Sequence, residues 1–321
     1  MSTGTSAPSE PTPSAVPAAA AKAPRRLGDT IFGGASLGSA TLILVMLAGV
    51  ALFLLVEALP VLSADPERIS GGAGFFSYVW PLLAGTVTAS LIAMVIATPL
   101  AVGIALFVSH YAEKRMGTFI GFVIDLLAAV PSVVFGMWGW QVLATHIRPL
   151  YGWLAENLSF LPFFASASAT GRTLLTASMV LAVMILPITT AVAREVFLQT
   201  PRLHEEAALA LGATKWEMIR TAVLPFGMPG VIGGTMLGLG RALGETMAVA
   251  IILSPGAFTW NLINSGNNTI PAEIANDFPE AAGLRLSELI AAGLVLFLLT
   301  LAVNLVARYI VESRSEFSGA N

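Results

Sequence analysis

The sequence predicts an all-α integral membrane protein with six transmembrane helices, and three observations carry that reading. Apolar residues make up 56% of the 321-residue chain and charged residues only 11%, with a mean hydropathy of +0.81. A soluble domain carries about 25% charged residues. Six apolar segments, approximately 32–58, 82–108, 118–144, 173–193, 227–253 and 287–308, each reach the ~20 residues a helix needs to cross ~30 Å of hydrocarbon. None shows the ten-residue alternation of a membrane β-barrel. The chain has no cysteine, which excludes disulfides and thiolate chemistry. His110, His146 and His204 stand far apart, and no bound metal is expected.

Taken in order, residues 1–30 are rich in Ala, Pro and Ser, lack aromatics and end in Lys22, Arg25 and Arg26. Such a stretch cannot bury enough apolar surface to fold, and a disordered tail is expected. The small residues precede the apolar run instead of following it, so it does not read as a cleaved signal peptide. Residues 31–312 form the membrane domain and 313–321 a short tail. Placing the N-terminus inside puts eleven Lys and Arg residues in the cytoplasm and four outside (Arg68, Arg148, Arg172 and Arg285), with Arg241 in the membrane. The positive-inside rule therefore predicts both termini in the cytoplasm. The outer loops 59–81 and 145–172 carry aromatics such as Phe76, Trp80, Trp153 and Phe160. These fit either an interfacial belt or a landing surface for an external partner. A third outer loop, 254–286, is polar and acidic. Pro131 and Pro187 fall inside spans, where each removes a backbone hydrogen bond and favours a kink.

The fifth span carries a charge where charge is costly. Arg241 is about midway along it, and a full charge at bilayer depth costs roughly 2.5–3.5 kcal/mol on insertion scales. At 100° per residue, Gly227, Gly230, Gly234, Gly238, Arg241, Glu245 and Ala248 share one narrow helix face. Gly230, Gly234 and Gly238 are read as helix-packing positions, and the two charges as facing a neighbour or a cavity. A guanidinium offers a planar fork suited to a tetrahedral oxyanion. Glu245, one turn on, can pair with Arg241 in the absence of substrate, in the weaker order for an i,i+4 pair. An ion pair that only locks helices together is the competing account. Ser132 and Thr246 could contact an anion, though hydroxyls in apolar helices often bond to their own backbone. Asp125, near the inner end of the third span, is a pathway residue or a solvated charge.

The loop 194–226 contains a short helix over 201–211, expected to start at Thr200 and Pro201 and to end at Gly212. A second helix begins at Thr214, with Glu217 completing a capping box, and runs to Pro225, where the fifth span begins. Within this loop, Glu206-Ala207-Ala208, Gly212 and Leu224-Pro225 resemble the EAA loop of ABC importer permeases. Ala222 departs from that pattern, which usually has a larger aliphatic there. Gly240 to Val249, reading GRALGETMAV, resembles the signature of phosphate-specific permeases. Val130–Gly136, Met184–Ile188 and Thr269–Phe278 are similar to its C-type subunits.

That resemblance implies a type I ABC importer fold in a prokaryotic inner membrane, with the loop seating on an ATP-binding subunit. It also implies an A-type phosphate permease partner, an ATP-binding cassette dimer holding ATP and Mg, an extracytoplasmic phosphate-binding protein, and phosphate and lipid as ligands; no nucleic acid is expected. None of Lys22, Lys114 and Lys215 follows a glycine, so the chain carries no P-loop of its own and is expected to transport without being an enzyme. Permeases for molybdate, sulfate or phosphonate, and a self-contained secondary transporter, are the alternatives.

Overall fold

The computed structural model describes residues 27–256 and 258–315. Its chain divides into two compact units, 1–51 and 52–321. The helix α1 (Leu27–Leu62) begins in the first; everything below concerns the second. Most of the tail expected over 1–30 lies outside the described residues, as does 316–321 of the C-terminal tail.

The helices that follow are α2 (Phe75–Leu106), α3 (Lys114–Ala128), α4 (Ser132–Trp138), α5 (Ala144–Asn157), α6 (Leu174–Leu198), α7 (Arg202–Ala210), α8 (Lys215–Met218), α9 (Leu224–Gly244), α10 (Met247–Ile252), α11 (Ile270–Asp277) and α12 (Leu284–Ser315). Among the described residues, five helices are long and apolar enough to cross a membrane, and α3 with α4–α5 makes a sixth if the bent pair is one span.

At the centre is α6, with 61% of its apolar window buried against 33% for α2 and 17% for α12. Two small-residue faces make this possible. On α2, Ala89, Ala93, Ala97, Ala101 and Ala105 repeat every fourth residue and are buried; the first three pack with Ala177, Leu181 and Ile185 of α6. On α9, glycines face α6 from the other side. A Cβ at Gly227 would lie 2.5 Å from the Phe197 ring, one at Gly234 3.0 Å from Val192, and one at Gly238 2.9 Å from the Thr189 hydroxyl. In a bilayer, helices gain little by hiding apolar surface from lipid, so close backbone approach at small residues supplies the packing.

Two expected spans are broken. The third, expected over 118–144, stops at Ala128 and resumes at Ser132 with a bend of 91°. Pro131 has no N–H for the ladder and keeps the preceding residue out of the helical region; its own ψ is 139°. The fifth, expected over 227–253, begins earlier and ends earlier. One helical run extends from Lys215 to Gly244, passing Pro225 without the boundary expected there, and a separate α10 follows. By contrast, α6 continues through Pro187.

Beyond the spans, Arg285 at the start of α12 donates to Glu273 at 2.7 Å, to Glu288 at 2.9 Å and to Asp277. Glu288 is only 2% exposed and also accepts from the Ser70 hydroxyl at 2.6 Å. This cluster ties the loop after α1 to α11 and α12. The asparagines of the neighbouring loop are occupied in the same way. Asn261 donates to the Ser166 carbonyl at 2.8 Å, and Asn267 accepts from the Thr259 amide at 3.0 Å.

The close crossings make a testable demand. A Cβ at Gly136 would lie 2.8 Å from the Ala248 Cα, whereas Gly103 has nothing within 4 Å. Gly136→Leu is expected to lose roughly 1–3 kcal/mol through overpacking and Gly103→Leu to be neutral or stabilising, measured by thermal unfolding of the purified chain in detergent.

Candidate functional site

The breaks in the third and fifth spans meet. Gly136 of α4 packs on Ala248 of α10, and three to four residues further along both helices Gly139 packs on Ile252. The two helices therefore run parallel, and their N-terminal ends lie at the same end of the contact, Ser132 opening one and Thr246 preceding the other. Such ends present unpaired N–H groups and the positive end of the backbone dipole. Short helices starting inside a membrane are a recurrent setting for anionic groups of a transported substrate.

Charged side chains hold α10 at both ends. The Glu245 carboxylate accepts from the Ala248 amide at 3.2 Å. At the other end Arg172 donates to the carbonyls of Ile251, Ile252 and Leu253 at 3.3, 3.1 and 2.7 Å. Its guanidinium also lies 5.7 Å from the Trp140 ring centroid. An acid at the N-terminus and a base at the C-terminus both complement the helix dipole. A six-residue helix has too few internal bonds to persist alone, and these two side chains support it together with the packing of Ala248 and Ile252 on the α4 segment.

Arg241 sits in the last turn of α9, half-buried, and no described residue makes a hydrogen bond or ion pair to its guanidinium. The expected pairing with Glu245 is not formed. The reason is the break: Glu245 follows the last residue of α9 with ψ near 120°, so the stripe of glycines and Arg241 ends before reaching it. Ser132, Glu245 and Thr246 are likewise half-buried. Asp125 is exposed on α3 and lines a different groove, with Lys114, Arg194 and Arg202.

The sequence reading passed over Arg172 and the Arg285 cluster. For Arg285 a signal existed, a lone cation beside an acidic loop. For Arg172 there was none, because backbone carbonyls as partners leave no mark on composition.

The loop between α6 and α9 is well capped. Gly212 adopts φ +86°, with its amide bonded to the Leu209 carbonyl at 3.0 Å and that of Ala213 to Ala208 at 3.2 Å, the two bonds of a Schellman end. Thr214 and Glu217 form the capping box. Thr200 does not cap α7. It lies two residues past the end of α6, its amide bonding to the Phe197 carbonyl, and its hydroxyl is buried without a partner among the described residues; Pro201 takes the cap position. A π-turn over Ile219–Val223 directly precedes Leu224 and Pro225 and accommodates the proline within the helix. Glu206 and Ala207 are exposed on α7 and Ala208 is half-buried. Ala207, Ala208 and Ala222 border a cavity of about 420 Å³, space that the small residue at 222 leaves open.

A family model described as binding-protein-dependent transport system inner membrane component matches residues 97–315. The chain belongs to this family. It is therefore a multi-pass inner membrane component of an ABC transporter. It is 43% identical over 312 residues to the phosphate transport system permease protein PstC 2 of Mycobacterium tuberculosis, covering 91% of this chain and 94% of the relative. It is 45% identical over 278 residues to PstC of Mycobacterium leprae, covering 82% and 87%, and 37% identical over 305 residues to PstC of Mesorhizobium japonicum, covering 92% and 93%. Among solved structures, a bacterial alginate ABC transporter in complex with an alginate pentasaccharide-bound periplasmic protein aligns at TM-score 0.58 and 16% identity, covering 92% of this chain and 99% of that one. The methionine transporter MetNI in an inward-facing form aligns at TM-score 0.53 and 19% identity, covering 78% and 99%. These two likenesses establish the shared type I importer permease fold.

Removing the clamp on α10 should be measurable. Arg172→Met is expected to destabilise α10 by roughly 1–2 kcal/mol, seen as faster amide exchange over residues 248–253, with Arg172→Lys between the two. Unchanged exchange would mean that packing on α4 alone holds the helix.

Proposed function

We propose that the chain is a transmembrane permease subunit of an ATP-driven inorganic phosphate importer. The observation that carries this reading is identity of 37–45% along most of the chain to relatives named as phosphate permeases. On this reading both termini are cytoplasmic. The chain pairs with an A-type permease and forms half of the pathway along the face carrying Arg241, Ser132, Glu245 and Thr246. A phosphate-binding protein delivers substrate from outside. Two ATP-binding subunits beneath supply hydrolysis with their own ATP and Mg, and this chain binds no cofactor.

The chemistry of the site fits. The unpaired Arg241 guanidinium can take an oxyanion bidentately, and the amide ends of α4 and α10 add donors that carry no net charge to be desolvated. Glu245 suits a protonated anion. Phosphate at neutral pH keeps at least one proton and can donate a hydrogen bond through it to a carboxylate, whereas sulfate sets only lone pairs against the acid; a mismatched polar contact is what discriminates. Below, α7 buries none of its residues and exposes Leu203 and Leu209, with Leu211 just after it 90% exposed. That leaves an apolar and acidic helix available to an ATP-binding subunit, and after the turn at Gly212 one helical run from Lys215 to Gly244 leads to Arg241.

Four measurements test the reading. Arg241→Lys, keeping charge but losing the fork, should reduce ATP-dependent phosphate uptake at least tenfold in proteoliposomes; normal uptake would remove the oxyanion role. Glu245→Gln should let sulfate compete with phosphate, and unchanged discrimination would place selectivity elsewhere. Glu206→Lys should abolish copurification with the ATP-binding subunit, and the chain reconstituted alone should pass no phosphate.

A further inference from the structure

A second basic site lies apart from Arg241, in the groove of about 670 Å³ between the end of α2, α3, α6 and the start of α7. Lys114 from α3, Arg194 from α6 and Arg202 from α7 line it, against one acid, Asp125. No described residue makes a hydrogen bond or ion pair to the side chains of these three cations. The acid nearest in sequence to Arg202 is turned elsewhere, Glu205 lying 3.6 Å from His110 Nε2.

The groove is shaped around one guanidinium. Gly121 leaves no side chain under Arg194, and a Cβ there would collide with its Nη1 atom; Gly117, one turn earlier, lets α3 approach the Val108 carbonyl. Arg194 is thus half-buried in a bed of backbone. Phe122 and Leu198, 64% and 54% exposed, flank the charges with apolar surface. Three cations and one carboxylate leave an excess of positive charge that calls for an anion, and basic pockets between membrane helices take anionic head groups. Two guanidinium forks on separate helices suit a phosphate group in particular.

We propose that this groove binds a phosphate group, presented by an anionic phospholipid or by free inorganic phosphate. The occupant joins α3 and α6 to Arg202, the first residue of α7, and so bears on the helix proposed to contact the ATP-binding subunit. Binding itself does not depend on the transport reading; only the placement of the groove on the cytoplasmic side does.

The full chain in nanodiscs, which leave both faces open, separates the sources. One arm measures binding of labelled inorganic phosphate in phosphatidylcholine discs. The other measures phosphatidylglycerol retained by native mass spectrometry in mixed discs. In an R241Q background, which removes the proposed pathway contact, the chain should bind at least one probe, and adding R194Q/R202Q should lower that affinity roughly tenfold or more. R194K/R202K should recover part of it, and Lys114→Ala, at an exposed position, gives a several-fold loss independent of any folding defect in the double variant. Neither probe binding wild type, or equal binding once R194Q/R202Q is added to R241Q, overturns the proposal. Loss in R241Q alone also overturns it, assigning the phosphate to the pathway and leaving the transport reading intact.

Discussion

Close approach of backbones at small side chains governs this structure. Lipid tails solvate leucine as well as another helix does, so apolar burial alone would not select one arrangement of spans. The alanine ladder of α2 and the glycine face of α9 let both helices come near α6, where dispersion contacts and the ridges of Val192, Val196 and Phe197 fix the register. The same device recurs where Gly136 and Gly139 meet α10. Since α4 and α10 are anchored at that crossing, the two helix starts share one end because of glycine positions, not because of any polar attraction.

Breaking a helix in a membrane frees backbone groups that lipid cannot satisfy. At α10 the chain answers with Glu245 and Arg172, and in the loop below with a Schellman end and a capping box. Outside the spans, Arg285 gathers three carboxylates. Charge in this protein therefore serves two ends. Most of the acids named here complete backbone or bridge loops, whereas Arg241 and the cations of the α3–α6 groove have no hydrogen-bond or ion-pair partner among the described residues.

Much of this was legible in the sequence. Four of the six apolar runs became spanning helices within several residues, because length and hydropathy alone decide that outcome, and Gly212, Thr214 and Glu217 announced the turn between α7 and α8 through local chemistry. The breaks were harder to place. Pro131 suggested a kink and gave a full interruption; the end of α9 at Gly244 carries no proline, and helical periodicity continued past it on paper. That error placed Arg241 and Glu245 on one stripe. Thr200 misled for a different reason: a threonine before a proline looks like a cap, but here its hydroxyl is buried and Pro201 takes the cap position. Arg172 shows the limit most clearly: its partners are carbonyls some 80 residues away in sequence, and no side-chain pattern encodes them.

The burial of α6 bears on how the chain is made. Spans leave the translocon in order, so α2 must wait in lipid, alanine face uncovered, through the whole of α3 to α5 before its main neighbour is synthesised. The glycine face of α9 has no such delay, because α6 precedes it by one short loop. Membrane assembly of this protein therefore turns on the arrival of the fourth span: until α6 is inserted the earlier helices have little to hold them together, and soon afterwards the fold can close around it.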